Sequence, residues 1–333
     1  MYNIKAKRGF TMKKSVSLCV SLLSILFLTT MILVGCNPVE SSTSESTSTE
    51  DINPINIILP QGTPLIAVGN LLDNPNYNFE IVSGPDSLTA AMTAKTHDIV
   101  IAPITAGAKL YIKNASTYLL DSVITTNNTY IVSKGDNTLD SMADLEGKNI
   151  IGYSQGNTPG IILEAALAHA EIDFTDKITY VTSVTEAVAQ FTQGAEYIMC
   201  AEPQITKLKS NNPDLHILDL SAELDSEFIP QAAIFVNPSS EYQTEIDLFI
   251  DAVNTNITYL NASPSTYASE IVSKNAFFST LTEATISTSI PTSNIEYHHA
   301  IDNLTVLNEY YSLLNTYNAN LLGGVPSATF YRE

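Results

Sequence analysis

Ile55-Asn56-Ile57-Ile58-Leu59, followed closely by Gln61-Gly62-Thr63-Pro64, decides the fold. The apolar run is short and rich in β-branched residues, which suits a strand buried on both faces. Thr63-Pro64 then reads as an N-cap followed by proline at the first helical position, with a helix through Leu72. The pattern repeats downstream. Phe79–Val82 reads as a strand, Asp86 caps a helix to about Lys95, Asp98–Ala102 is a third strand, and Pro103 opens a helix through about Ile112. Strand, helix, strand, helix, strand is the signature of parallel βαβ units.

Outward from there, Tyr118–Val123 and Thr129–Ser133 read as extended passages out of a first lobe. A second series then begins, with strands at Asn149–Gly152, Ile178–Val181, Tyr197–Cys200 and His216–Leu218. Its helices open at Thr158-Pro159, at Ser183-Val184-Thr185-Glu186, which has capping-box spacing, and at Glu202-Pro203. Ala232–Val236 is an extended return to the first lobe. Helices are expected over Tyr242–Leu260, Pro264–Lys274, Thr280–Ser289 and Ile295–Tyr317, with a surface wrap from Leu321. The resulting expectation is an α/β, two-lobed architecture. Each lobe is a mostly parallel sheet flanked by helices, and the C-terminal part is helical. Its segments are 54–125 (first lobe), 126–231 (second lobe) and 232–333 (return to the first lobe and helical part).

The first 35 residues read as an address. Lys5, Lys7, Arg8, Lys13 and Lys14 precede an apolar run from about Val16 to Val34, and no acid occurs before Cys36. Met12 is an alternative start. Leu33-Val34-Gly35-Cys36 resembles the lipobox of bacterial lipoproteins, which makes 1–35 a signal peptide and Cys36 the lipidated N-terminus, carrying diacylglyceryl and palmitate-type chains. Residues 36–53 are Ser/Thr-rich, with almost nothing to bury, and are expected to form a flexible tether.

The whole chain carries 15 basic and 35 acidic residues, a net charge of −20. Removing the leader leaves ten basic residues against the same acids, a charge of −25. Such a field disfavours nucleic acid. Cys19 leaves with the leader and Cys36 takes lipid, so Cys200 stands alone in an apolar run, as a small buried strand residue without a disulfide partner.

Three motifs resemble one family. Asp98-Ile99-Val100-Ile101-Ala102-Pro103 with Ala108-Lys109-Leu110-Tyr111, Asp144-Leu145-Glu146-Gly147-Lys148-Asn149-Ile150, and Gln193-Gly194 with Ala201-Glu202-Pro203 keep the order and spacing of ABC-importer solute-binding proteins. The branch resembled binds nitrate, sulfonates, taurine and thiamine-pyrimidine precursors. The likeness spans roughly residues 54–262. It implies a type II periplasmic-binding-protein fold, a hinge that closes on a small solute, an ABC permease with its ATPase as partners, and no catalytic chemistry, cofactor or metal. The mature chain has no Trp and few cations, so a sulfonate- or nitrate-type pocket does not follow from it.

If the strands are parallel, helix starts gather at one edge and offer unpaired N–H groups to a ligand between the lobes. The candidates are Gln61, Gly62 and Thr63; Ser83 and Gly84; Pro103 and Thr105; Asn128 at the lobe crossing; Gln155, Gly156, Asn157 and Thr158 as an anion nest; and Glu202. Ordinary turn and cap chemistry would place the same residue types there. Enzyme readings find little support. Five His are scattered, and no HExxH, GxSxG, P-loop or GxGxxG occurs. The alternatives held open are an enzyme on the same fold, of menaquinone-pathway or pyrimidine-precursor type, and a surface sensor without a transporter. A monomer, lipid-anchored outside the cell membrane, is expected.

Overall fold

The computed structural model describes residues 54–224 and 226–333. The signal peptide, Cys36 and the whole 36–53 tether lie outside the described residues. The first lobe opens with β1 (Ile55–Pro60), α1 (Thr63–Ala67), β2 (Tyr77–Val82), α2 (Pro85–Ala94), β3 (Ile99–Pro103), α3 (Ile104–Ile112) and β4 (Leu119–Thr126). The second holds β5 (Tyr130–Lys134), β6 (Ile150–Tyr153), α4 (Thr158–His169), β7 (Ile178–Val181), α5 (Val184–Thr192), β8 (Tyr197–Cys200), α6 (Gln204–Asn211) and β9 (Leu215–Asp219). The chain returns through β10 (Pro230–Val236). It continues with α7 (Gln243–Ala262), α8 (Pro264–Ile271), α9 (Ala276–Ser279), α10 (Glu283–Ser289), β11 (His298–His299), α11 (Leu304–Tyr317) and α12 (Ala319–Leu322).

Two mixed sheets result. The first runs β11-β4-β10-β3-β1-β2, the second β7-β6-β8-β5-β9. In the first, β1 lies parallel to both β2 and β3, while β10 runs antiparallel between β3 and β4. The pleat sorts side chains by alternation. Ile99 and Ile101 face a core shared with Phe249 and Val253 of α7, whereas Val100 and Ala102 face the opposite core with Tyr310 and Tyr311 of α11. That second core runs on into the other lobe through Ile150, Phe191 and Ile198.

Four local readings need correction. The first helix ends at Ala67, not Leu72, because tertiary partners take its last carbonyls. Tyr267 Oη donates to Ile66 O and Asn256 Nδ2 donates to Ala67 O at 2.6 Å. A Cβ on Gly69 would lie 2.8 Å from Ile271 Cγ2, so α8 packs against bare backbone there. The N-caps of α1, α2, α4 and α6 fall on Gly62, Gly84, Asn157 and Pro203, one residue away from Thr63, Thr158 and Glu202 and two before Asp86. The helix expected over Ile295–Tyr317 begins only at Leu304; His298 and His299 instead pair with Val123 and Ser122 at the edge of the first sheet. The tail is not a loose wrap either. Phe330 is fully buried, Tyr331 bridges to Leu120, and Arg332 reaches Asp121.

Among the described residues no helix is long and apolar enough to cross a membrane.

Candidate functional site

Two crossings join the lobes, and side chains tie them together. Asn127 N donates to Ile229 O at 3.0 Å, and Ile229 N donates to Asn127 Oδ1 at 2.7 Å. Asn294 Nδ2 caps the same junction, donating to Asn127 O at 2.9 Å. Beside it a cleft opens between the carboxyl ends of β1 and β3 on one lobe and of β6 and β8 on the other. That is where ligands bind in open α/β sheets.

The cleft has two compartments of about 170 Å³ each, which share Pro60, Pro103, Tyr153, Pro159 and Val184 as walls. Gln61, Gly62, Thr63, Pro103, Asn128, Thr158 and Glu202 line the first; Ser83, Gly84, Pro103 and Asn157 line the second. Thr105 sits behind them, fully covered, where its hydroxyl meets that of Thr158 at 3.0 Å across the lobes. Gln155 and Gly156 line neither compartment. Their turn folds back on itself: Asn157 N donates to Ser154 O at 3.0 Å, and Ser154 and Gly156 both take left-handed φ angles, 55° and 73°. A Cβ on Gly160 would stand 2.9 Å from Ser154 O, so the turn lies directly on the start of α4. Several wall residues escaped the sequence reading, Pro60 and Val184 among them. Tyr153 ends a strand and was open to the strand-end rule; Thr125, Gln231 and Ala232 come from antiparallel strands that carry no such signal.

Glu202 is the only acidic or basic side chain among the described lining residues. It is 7% exposed. Its backbone is clamped by the crossing, since Glu202 N donates to Asn128 Oδ1 at 2.8 Å. Its carboxylate accepts from Thr206 N and Thr206 Oγ1, both at 3.0 Å, and from Thr292 Oγ1 of the other lobe at 2.8 Å. Burial nonetheless raises its pKa above the usual 4.5. A raised carboxyl pKa contributes stability that is present below about pH 4.5 and is lost as pH rises through the folded value. We therefore expect the stability of wild type relative to Glu202→Gln to decline from pH 4 to pH 7, read by urea unfolding at each pH; a pH-independent difference contradicts this assignment. The neighbouring Cys200 is fully buried, and burial pushes its thiol up to about 12, which makes it inert packing.

The family profile described as "NMT1/THI5 like" matches residues 80–267. The chain belongs to the NMT1/THI5-like family. No curated protein sequence matches this NMT1/THI5-like chain. Solved structures similar to it include an ABC transporter protein from Parabacteroides distasonis, 21% identical over 84% of this chain and 99% of that one, with a TM-score of 0.70. The periplasmic aliphatic sulphonate binding protein of Escherichia coli is 13% identical, over 84% and 92% of the two chains, with a TM-score of 0.67. The alkanesulfonate-binding protein of Xanthomonas axonopodis pv. citri, bound to MOPS, is 15% identical over 82% and 94%, with a TM-score of 0.62. The NMT1/THI5-like chain therefore shares the two-lobed periplasmic-binding-protein fold.

Proposed function

We propose that this protein is an extracytoplasmic solute-binding lipoprotein that hands a small solute to the permease and ATPase of an ABC importer. The reading rests on one observation above the rest: the polar ends of strands from both lobes line a single cleft, and the lobes touch there through Thr105 and Thr158. A solute held by both lobes favours the closed state by its differential affinity for it. Binding rather than catalysis is the reading because the cleft offers amides and hydroxyls. Among the described lining residues no His, Lys or second carboxylate stands with Glu202 to divide a proton transfer. Lobe boundaries near 125/126 and 231/232 and action as a monomer belong to the same proposal.

A thermal-shift screen of small solutes, followed by small-angle scattering with any hit, tests it. We expect a hit to raise Tm and shrink the radius of gyration, without being consumed. Turnover of the hit, or binding without compaction, counts against the reading. With that hit, Thr63→Ala should weaken Kd about threefold to tenfold, the worth of one neutral hydrogen bond, and leave the unfolding midpoint in place. Unchanged affinity by calorimetry removes Thr63 from the site.

Anchoring through Cys36 is proposed from the Leu33-Val34-Gly35-Cys36 spacing. Cys36→Ser should abolish incorporation of labelled fatty acid; label retained in that variant refutes the anchor.

A further inference from the structure

The cleft's electrostatics narrow the solute class, on the footing that the cleft does capture a solute. No Lys, Arg or His occurs among the described lining residues. An anion would then depend on helix starts, and those of α5 and α6 are already occupied. At α5, Ser183 Oγ accepts from Glu186 N, while the Glu186 carboxylate accepts from Thr182 N at 3.0 Å. The first turn of α2 carries Asp86. At α6 the Glu202 carboxylate itself accepts the Thr206 N–H. The turn before α4 is folded onto that helix's start, and the Thr105 and Thr158 hydroxyls meet between α3 and α4. No side chain caps α1, α2, α3 or α4, but α1 is only five residues long and α2 carries an acid in its first turn, so the positive potential left for an oxyanion is confined to the starts of α3 and α4, where the Thr105 and Thr158 hydroxyls meet.

Glu202 points the other way. An ionised carboxylate offers about four acceptor positions. Three are filled: two on Oε1, by Thr206 and Thr292, and one on Oε2, by Thr206 N. Among the described residues no ion pair neutralises it. We propose that Glu202 is the specificity-determining residue of the cleft and selects solutes that present a protonated or N–H-bearing nitrogen, against sulfonates, nitrate and other anions. The free Oε2 position accepts that nitrogen's proton. Thr292 grips the same carboxylate from the opposite lobe, so the contact forms with the lobes together. Pro60, Pro103, Pro159 and Val184 supply apolar walls for the rest of the molecule.

The test uses three ring-matched probes: benzylamine, benzamide and benzenesulfonate. Thermal shift and calorimetry on wild type should rank benzylamine first, benzamide second and benzenesulfonate without effect. Glu202→Gln keeps the shape and one acceptor oxygen, replaces the other oxygen with an N–H donor, and removes the charge. It should weaken benzylamine about tenfold to a hundredfold, the worth of a charge-assisted hydrogen bond, and change benzamide less. Unchanged benzylamine affinity in that variant removes Glu202 from the role. Benzenesulfonate bound by wild type at least as tightly as benzylamine overturns the selectivity and leaves solute capture standing. A wild-type protein unmoved by all three overturns the selectivity, while solute capture itself stands or falls with the wider screen. Should Glu202→Gln fail to fold by circular dichroism, the wild-type ranking alone decides.

Discussion

Arg332→Ala lowers the unfolding free energy by about 3–5 kcal/mol, the cost of breaking a buried ion pair from one side. Arg332 is the penultimate residue, yet its Nη1 donates to Asp121 Oδ1 at 2.9 Å and its Nη2 reaches Asp247 on α7. The Asp121 side chain is only 3% exposed, and its other oxygen, Oδ2, has no partner within the described structure. Without the guanidinium a carboxylate stays in the core uncompensated. Asp247, by contrast, is 61% exposed and adds little. The paired replacement Arg332→Met with Asp121→Leu should recover most of the loss, since a buried pair is worth little more than packed apolar groups of like volume. Urea unfolding of wild type and the two variants measures it. A loss below about 1 kcal/mol for Arg332→Ala, the range of exposed pairs, means that the tail does not clamp the first sheet.

Gly107→Ala should cost about 1–3 kcal/mol or more through overpacking. A Cβ on Gly107 would fall 2.2 Å from Phe235 Cζ and 2.3 Å from Cε1. Phe235 lies on β10, fully buried, and cannot swing away. Phe235→Leu alone should destabilise by leaving a void. Combined with Gly107→Ala it should cost less than the sum, because the smaller side chain vacates the space the methyl needs. Additive losses in that double-mutant cycle contradict the contact.

Much of this architecture was legible in the sequence because its strands are short apolar runs punctuated by polar–proline helix starts. Ile57, Ile99 and Tyr197 announce buried strands by composition alone. Where the reading slipped, long-range partners prevailed over local signals. Nothing between Leu65 and Leu72 shows that Tyr267 and Asn256, about two hundred residues on, take the carbonyls that a longer α1 needs. The pairing of His298 with Val123 is equally non-local, and a periodic stretch around it reads as helix. In the cleft, the strand-end rule reaches Gln61, Thr63, Pro103, Thr158 and Glu202. It misleads at Gln155 and Gly156, because Gly and Asn serve a self-contained turn as readily as a ligand nest. It is silent on Thr125 and Gln231, whose place depends on the register of β10 against β4.

The late position of β10 bears on how such a chain comes into being. A ribosome releases β3 and β4 long before the strand that must lie between them, so the middle of that sheet stays vacant until residue 236 has emerged. Two unsatisfied edges face each other across the gap all that while. Under the export that the proposed function entails, such procrastination is useful: the part made first cannot lock into shape before the remainder is ready to cross.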